Sequence, residues 1–143
     1  MNEELQNLLF SFLIHSAIFM RWKRNVSLVG SELDDREFML LKMLHDYPNH
    51  ITERGAANFF GLNSISMSRV LKKLSDDGLI KKDNDHLTIT QTGEQSLDKE
   101  MRLLAGRFSS LVEGMHLTDE ERALLAKVEA GLTKYIDVNV IGV

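Results

Sequence analysis

The residues of this 143-residue chain best suited to chemistry lie between Ser64 and Lys73. Spaced at 100° per residue, Met67, Val70, Leu71 and Leu74 share one arc of a helix. The opposite arc centres on Ile65, Arg69 and Lys72 and is flanked by Ser64, Ser68 and Lys73. Such a face is rich in donors and positive charge, and its chemistry is non-covalent recognition of a nucleic-acid duplex. Arg69 can bond a guanine edge with two parallel hydrogen bonds, and Ile65 can pack on a thymine methyl. Ser64, Ser68, Lys72 and Lys73 can reach bases or phosphates.

Charge along the chain supports that reading. The formal net charge is -4, yet residues 50–82 hold six basic side chains (Arg54, Arg69, Lys72, Lys73, Lys81, Lys82) against three acidic ones. Both flanking segments are acidic. An acidic protein with a basic middle is a candidate for local polyanion contact, and this is where Arg54 enters. Charge alone is equally compatible with an ordinary solvated surface.

Other chemistries find little footing. The chain has no cysteine, which excludes disulfides, thiolate zinc sites and thiol catalysis. Its histidines (His15, His45, His50, His86, His116) do not pair at helical spacing near a carboxylate, as a cysteine-free zinc site favours. There is no nucleophile elbow, phosphate-cradling glycine loop or paired-carboxylate context, so neither an enzyme nor a bound cofactor is expected.

Several helices must position the basic face. Hydrophobic residues make up 43% of the chain and Pro48 is its single proline, which favours one soluble, helix-rich domain. Residues 3–26 contain no Gly or Pro and read as one long helix. Leu8, Phe12, His15, Phe19, Trp22 and Val26 share a face, whereas Phe10, Ile14 and Ile18 lie away from it. A helix apolar on nearly all sides needs cover on nearly all sides, and a second subunit is the simplest cover. Its apolar run, Leu8 to Met20, is too short to span a bilayer and lacks the flanks of a signal peptide, so a cytoplasmic location is expected.

After a break at Gly30-Ser31, Asp34 caps a second helix, with Glu37 at its third position and Pro48 as its stop. Thr52 caps a third helix ending at Gly61, and Asn63 caps a fourth ending at Asp77-Gly78. Ala57 is small where these two helices cross, Gly61 supplies the turn, and Ala56, Phe60, Leu62, Met67 and Val70 face inward. That is the helix-turn-helix pattern. Leu79 to Lys82 and His86 to Thr90 form a hairpin around Asp83-Asn84-Asp85. A fifth helix follows from Gln91 to about Glu113, and Thr118-Asp119-Glu120-Glu121 opens a last helix to about Ile136.

With these elements in order, the chain resembles the MarR-type winged helix-turn-helix regulators over nearly its whole length. The resemblance rests on Phe38-Met39-Leu40-Leu41, on Met67-Ser68-Arg69-Val70-Leu71-Lys72-Lys73-Leu74 running into Gly78-Leu79-Ile80, on Ile89-Thr90-Gln91-Thr92-Gly93, and on Leu117-Thr118-Asp119-Glu120-Glu121. It implies a mainly α fold with a small β-hairpin wing, in which residues 34–90 form the DNA-binding region. Residues 3–26 and 91–143 then form the helical dimerisation region of a single unit, 1–143. It further implies a homodimer on a pseudo-palindromic operator in double-stranded DNA, with ligand-controlled repression.

The wing departs from the family. Members of the family usually carry a longer loop with an Asp-x-Arg element, whereas only Lys81 to Thr88 separate Ile80 from Ile89 here, with no arginine. Wing contact with DNA then falls to Lys81, Lys82, Asn84 and His86, beside the repelling Asp83 and Asp85. The alternative is a dimeric winged-helix module that binds a protein partner after losing affinity for DNA. In the family's architecture the first helix borders a ligand cleft, which makes Phe12, His15, Phe19 and Trp22 candidate contacts for a small aromatic effector.

Overall fold

Five helices of the chain begin at side-chain caps encoded in the sequence, and these caps set its segmentation. Asp34 Oδ1 accepts from the Glu37 amide at 2.9 Å, Thr52 Oγ1 from Gly55 at 3.0 Å and Asn63 Oδ1 from Ser66 at 2.8 Å. Thr90 caps through the Gly93 amide, and Thr118 and Glu121 form a reciprocal capping box. The computed structural model describes residues 2–26 and 32–143; the expected break at Gly30-Ser31 lies outside them, as does the side chain of Val26.

The order is α1 (Glu3–Val26), α2 (Asp35–Asp46), α3 (Glu53–Phe60), α4 (Ser64–Asp76), β1 (Ile80–Asp83), β2 (His86–Ile89), α5 (Gln91–Met115) and α6 (Asp119–Ile136). A π-helical turn, Asp137–Ile141, closes the chain where only a helix end was expected. Gly61 ends α3 with φ 63°, a left-handed conformation that a β-carbon disfavours, and its amide reaches back to Asn58. The hairpin is antiparallel with Ile80 opposite Ile89 and Asp83 opposite His86. Asn84, at φ 54°, takes its positive-φ turn position. Residues 51–53 run beside β2: the Leu87 amide donates to the Ile51 carbonyl at 2.8 Å, and the Glu53 amide to that of Asp85 at 3.2 Å.

The core lies in the winged part. Leu40, Leu41 and Leu44 of α2, Ala56 of α3, Met67 and Leu74 of α4, Leu87 of β2 and Leu97 of α5 form one buried cluster. Phe60, Leu62 and Val70 pack against it from the expected side, and Ala57 is buried at the α3–α4 crossing.

The long helices are different. In the single chain α1 leaves Leu8, Phe10, Phe12, Ile14, Ile18 and Trp22 exposed, and α6 leaves Leu124 and Leu125 exposed. Phe19 meets Phe108 of α5 with ring centroids 5.2 Å apart. The π-helical turn packs Ile141 on the core, and the Tyr47 hydroxyl at the end of α2 donates to Asp137 Oδ1 at 2.7 Å. Among the described residues no helix is long and apolar enough to cross a membrane.

Candidate nucleic-acid interface

Helix α4 is held by its apolar arc, and this fixes which side it offers outward. Met67 and Leu74 are fully buried and Leu71 nearly so, which leaves Ser64, Ile65, Ser68, Arg69 and Lys72 lining one shallow exposed depression. Ile65 is 67% exposed, so its apolar side chain stands outward on this arc. The structure thus brings together five of the six residues placed on this arc by spacing, the sixth, Lys73, being turned to Glu37. Arg54 at the start of α3, Lys73 at the end of α4, and Lys81, Lys82, Asn84 and His86 of the hairpin are exposed as well.

The cations differ in what they already hold. Lys72 pairs with Asp76 one turn on, at 2.6 Å, and this carboxylate raises the pKa of its ammonium. Both side chains are well exposed, so the pair adds little stability. Lys82 of β1 pairs with Glu53 at the start of α3, and that hydrogen bond raises the lysine's pKa too. Among the described residues, Arg54, Arg69 and Lys81 take part in no ion pair.

Lys73 plays a second part. Its Nζ lies 2.5 Å from Oε1 of Glu37 on α2, a carboxylate that is almost fully buried. The bond raises the pKa of Lys73 against the opposing effect of its own burial. Burial pushes the Glu37 carboxyl up, with nearby Asp34 adding to the effect and Lys73 opposing it. Glu37 Oε2 is buried without a hydrogen-bond partner among the described residues. Glu37 stands at the third position of α2 as expected, and its carboxylate ties α2 to α4.

Two residues were missed in the sequence. Glu53 accepts from Ser68 Oγ at 3.4 Å through one oxygen and from Lys82 Nζ through the other, so it touches both α4 and the wing. Asp76 stands four residues after Lys72, a spacing that signals a pair on a helix.

The candidate effector residues are partly brought together. Phe19 lies 6.2 Å from Trp22, centroid to centroid, and the two rings are tilted. His15 Nδ1 is 2.8 Å from the Ser11 carbonyl on its own helix, with Ser11 Oγ also in reach. Phe12, His15 and Trp22 are exposed in the single chain.

No protein-family model and no curated protein matches the chain. Solved structures do. A MarR family protein from Bacillus stearothermophilus superposes with a TM-score of 0.70 at 17% identity, covering 96% of this chain and 99% of that one. A MarR family protein of Mycobacterium tuberculosis in complex with DNA gives 0.64 at 22% identity, over 87% and 96% of the two chains. The complex of that tuberculosis protein with salicylic acid gives 0.61 at 22% identity, over 85% and 94%. Helix order, the antiparallel hairpin and near-complete mutual coverage agree, and the chain therefore has the winged helix-turn-helix fold of the MarR family of transcriptional regulators.

Proposed function

We propose that the chain is a sequence-specific, double-stranded-DNA-binding transcriptional regulator that acts as a homodimer on a pseudo-palindromic operator. The observation that carries this is the exposed arc of α4, where Ile65 and Arg69 stand outward between Ser64, Ser68 and Lys72. In this reading α4 enters the major groove and Arg69 reads a base edge. Lys72, Lys81, Asn84, His86 and Arg54 set register through phosphates and sugars, and Lys73 combines such contact with its tie to Glu37. The tuberculosis neighbour solved with DNA supports the reading by likeness of fold.

The exposed apolar faces of α1 and α6 support the homodimer. The finer proposal is ligand-responsive repression in the cytoplasm, with a small aromatic effector beside Phe12, His15, Phe19 and Trp22. The neighbour solved with salicylic acid supports that ligand class.

A gel-shift titration tests the function, using the chain's own upstream DNA and a random duplex at several salt concentrations. Arg69→Ala is expected to cost about 1–3 kcal/mol on the specific site and to relax preference at one base-pair position. Equal losses on both duplexes reduce Arg69 to a phosphate contact. The acidic wing tip and the pairing of Lys72, Lys73 and Lys82 favour a second reading, a dimeric winged-helix module that binds a protein partner. Absence of salt-sensitive binding to any DNA decides for it.

A further inference from the structure

Glu53 is an acidic residue inside the basic segment, and its position at the start of α3 suits a side chain that opposes the helix dipole. That role does not account for where its carboxylate goes. One oxygen accepts from Ser68 Oγ on the outward arc of α4, and the other accepts from Lys82 Nζ on β1. These partners lie 15 and 29 residues away in sequence and belong to the two elements that would meet DNA. The carboxylate's own base is fixed. Thr52 beside it caps α3 and bridges to His86, and the Glu53 amide donates to the Asp85 carbonyl.

We propose that Glu53 occupies, in the free protein, the ammonium of Lys82 and the hydroxyl of Ser68 that a DNA phosphate would otherwise engage, and so limits how tightly the wing grips any duplex. This rests on the DNA-binding function proposed above. Glu53 is a positioning residue, acting through Lys82 and Ser68. The pair is weak because Lys82 is 49% exposed and Glu53 28% exposed, which keeps it open to exchange. While Lys82 stays with Glu53 it displaces no counterions from DNA. If it leaves, an unpaired carboxylate is stranded next to a polyanion, with Asp85 also close to Lys82. Either outcome subtracts from the sequence-independent part of binding, and specificity is gained relative to it.

The test uses the full chain on a short random duplex, with affinity measured across a salt series. Glu53→Gln keeps the shape and removes the charge. It is expected to tighten binding roughly five- to tenfold per protomer at about 0.1 M salt and to steepen the log–log salt slope by about 0.9 per protomer. Adding Lys82→Met to Glu53→Gln should return the slope to the wild-type value. A readout without DNA accompanies this: in NMR titration the Lys82 ammonium should titrate above the ordinary lysine range in wild type and lower in Glu53→Gln than in wild type. Salt-sensitive wild-type binding with an unchanged slope in Glu53→Gln overturns this inference alone, as does a gain that survives Lys82→Met. If neither wild type nor Glu53→Gln binds DNA, the proposed function fails and this inference falls with it.

Discussion

Gly93 gives the sharpest stability prediction. It sits in the first turn of α5, where the chain leaves the hairpin, and a β-carbon built on it would lie 2.1 Å from the Leu79 carbonyl oxygen and 2.7 Å from Ile89 Cγ1. Ile89 can turn its side chain away; the carbonyl is fixed. Leu79 O already accepts the Thr90 amide at 3.0 Å, while Thr90 Oγ1 donates to the Gly78 carbonyl at 2.6 Å and caps α5 through the Gly93 amide. Relief of the clash requires α5 to move by about 1 Å relative to the base of the wing, which strains all three bonds. Overpacking costs about 1–3 kcal/mol, and a backbone oxygen that cannot rotate puts this case at about 3. Replacing glycine inside a helix returns about 1 kcal/mol of propensity, so Gly93→Ala should destabilise by roughly 2 kcal/mol. Gly106 in the same helix has no atom within 4 Å of an added β-carbon, and Gly106→Ala should stabilise by about 0.5–1 kcal/mol. Urea unfolding at matched protein concentration reads both, as midpoint shifts at constant slope. A Gly93→Ala protein as stable as wild type refutes the packing argument; opposite signs at the two glycines support it.

Phe12→Glu should give monomer or aggregate, because an unpaired charge in a closed interface costs about 3–5 kcal/mol; sedimentation of wild type as a folded monomer at about micromolar concentration removes the premise. An aromatic carboxylate should quench Trp22 fluorescence and weaken DNA binding, and bound ligand without change in DNA affinity rejects regulation through this site. Tyr47→Phe should cost about 1 kcal/mol near neutral pH through loss of the Asp137 bond. That bond, followed by burial, raises the Tyr47 phenol from 10.0 to about 12. The folded state therefore holds the proton after the unfolded chain has lost it. The associated stability is complete below the unfolded pKa of about 10 and is lost as pH rises towards about 12. Unfolding midpoints across that range should fall more steeply for wild type than for Tyr47→Phe, and parallel curves would count against the bond.

Legibility in the sequence tracked how local each feature is. Caps at Asp34, Thr52, Asn63 and Thr118 act over three residues, and all four are in place; the Thr90 cap of α5 acts over the same span and was overlooked. The outward arc of α4 was readable because Met67, Leu71 and Leu74 fix the inward one. What the lysines already hold was not readable: Glu37 and Lys73 are 36 residues apart, Glu53 and Lys82 are 29, and only the folded chain brings them together. The Lys72–Asp76 pair was available from its spacing of four and was overlooked. The π-helical turn at Asp137–Ile141 has no local signature; it is accompanied by two tertiary contacts, Asp137 with Tyr47 and Ile141 on the core.

Those contacts bear on how a change among the long helices can reach the exposed arc of α4. The end of α6 is bonded to α2 through Asp137 and Tyr47, and α2 is bonded to α4 through Glu37 and Lys73. Helix α2 also shares the leucine core with α4, so a displacement of α2 cannot leave α4 where it was without opening packed contacts. Adjacency alone does not transmit regulation; an element with two arrangements is needed, whose balance both ends bias. Glu37 is suited to a place in such an element, because its buried carboxylate keeps one oxygen without a hydrogen-bond partner among the described residues and so adds little stability to the arrangement it occupies.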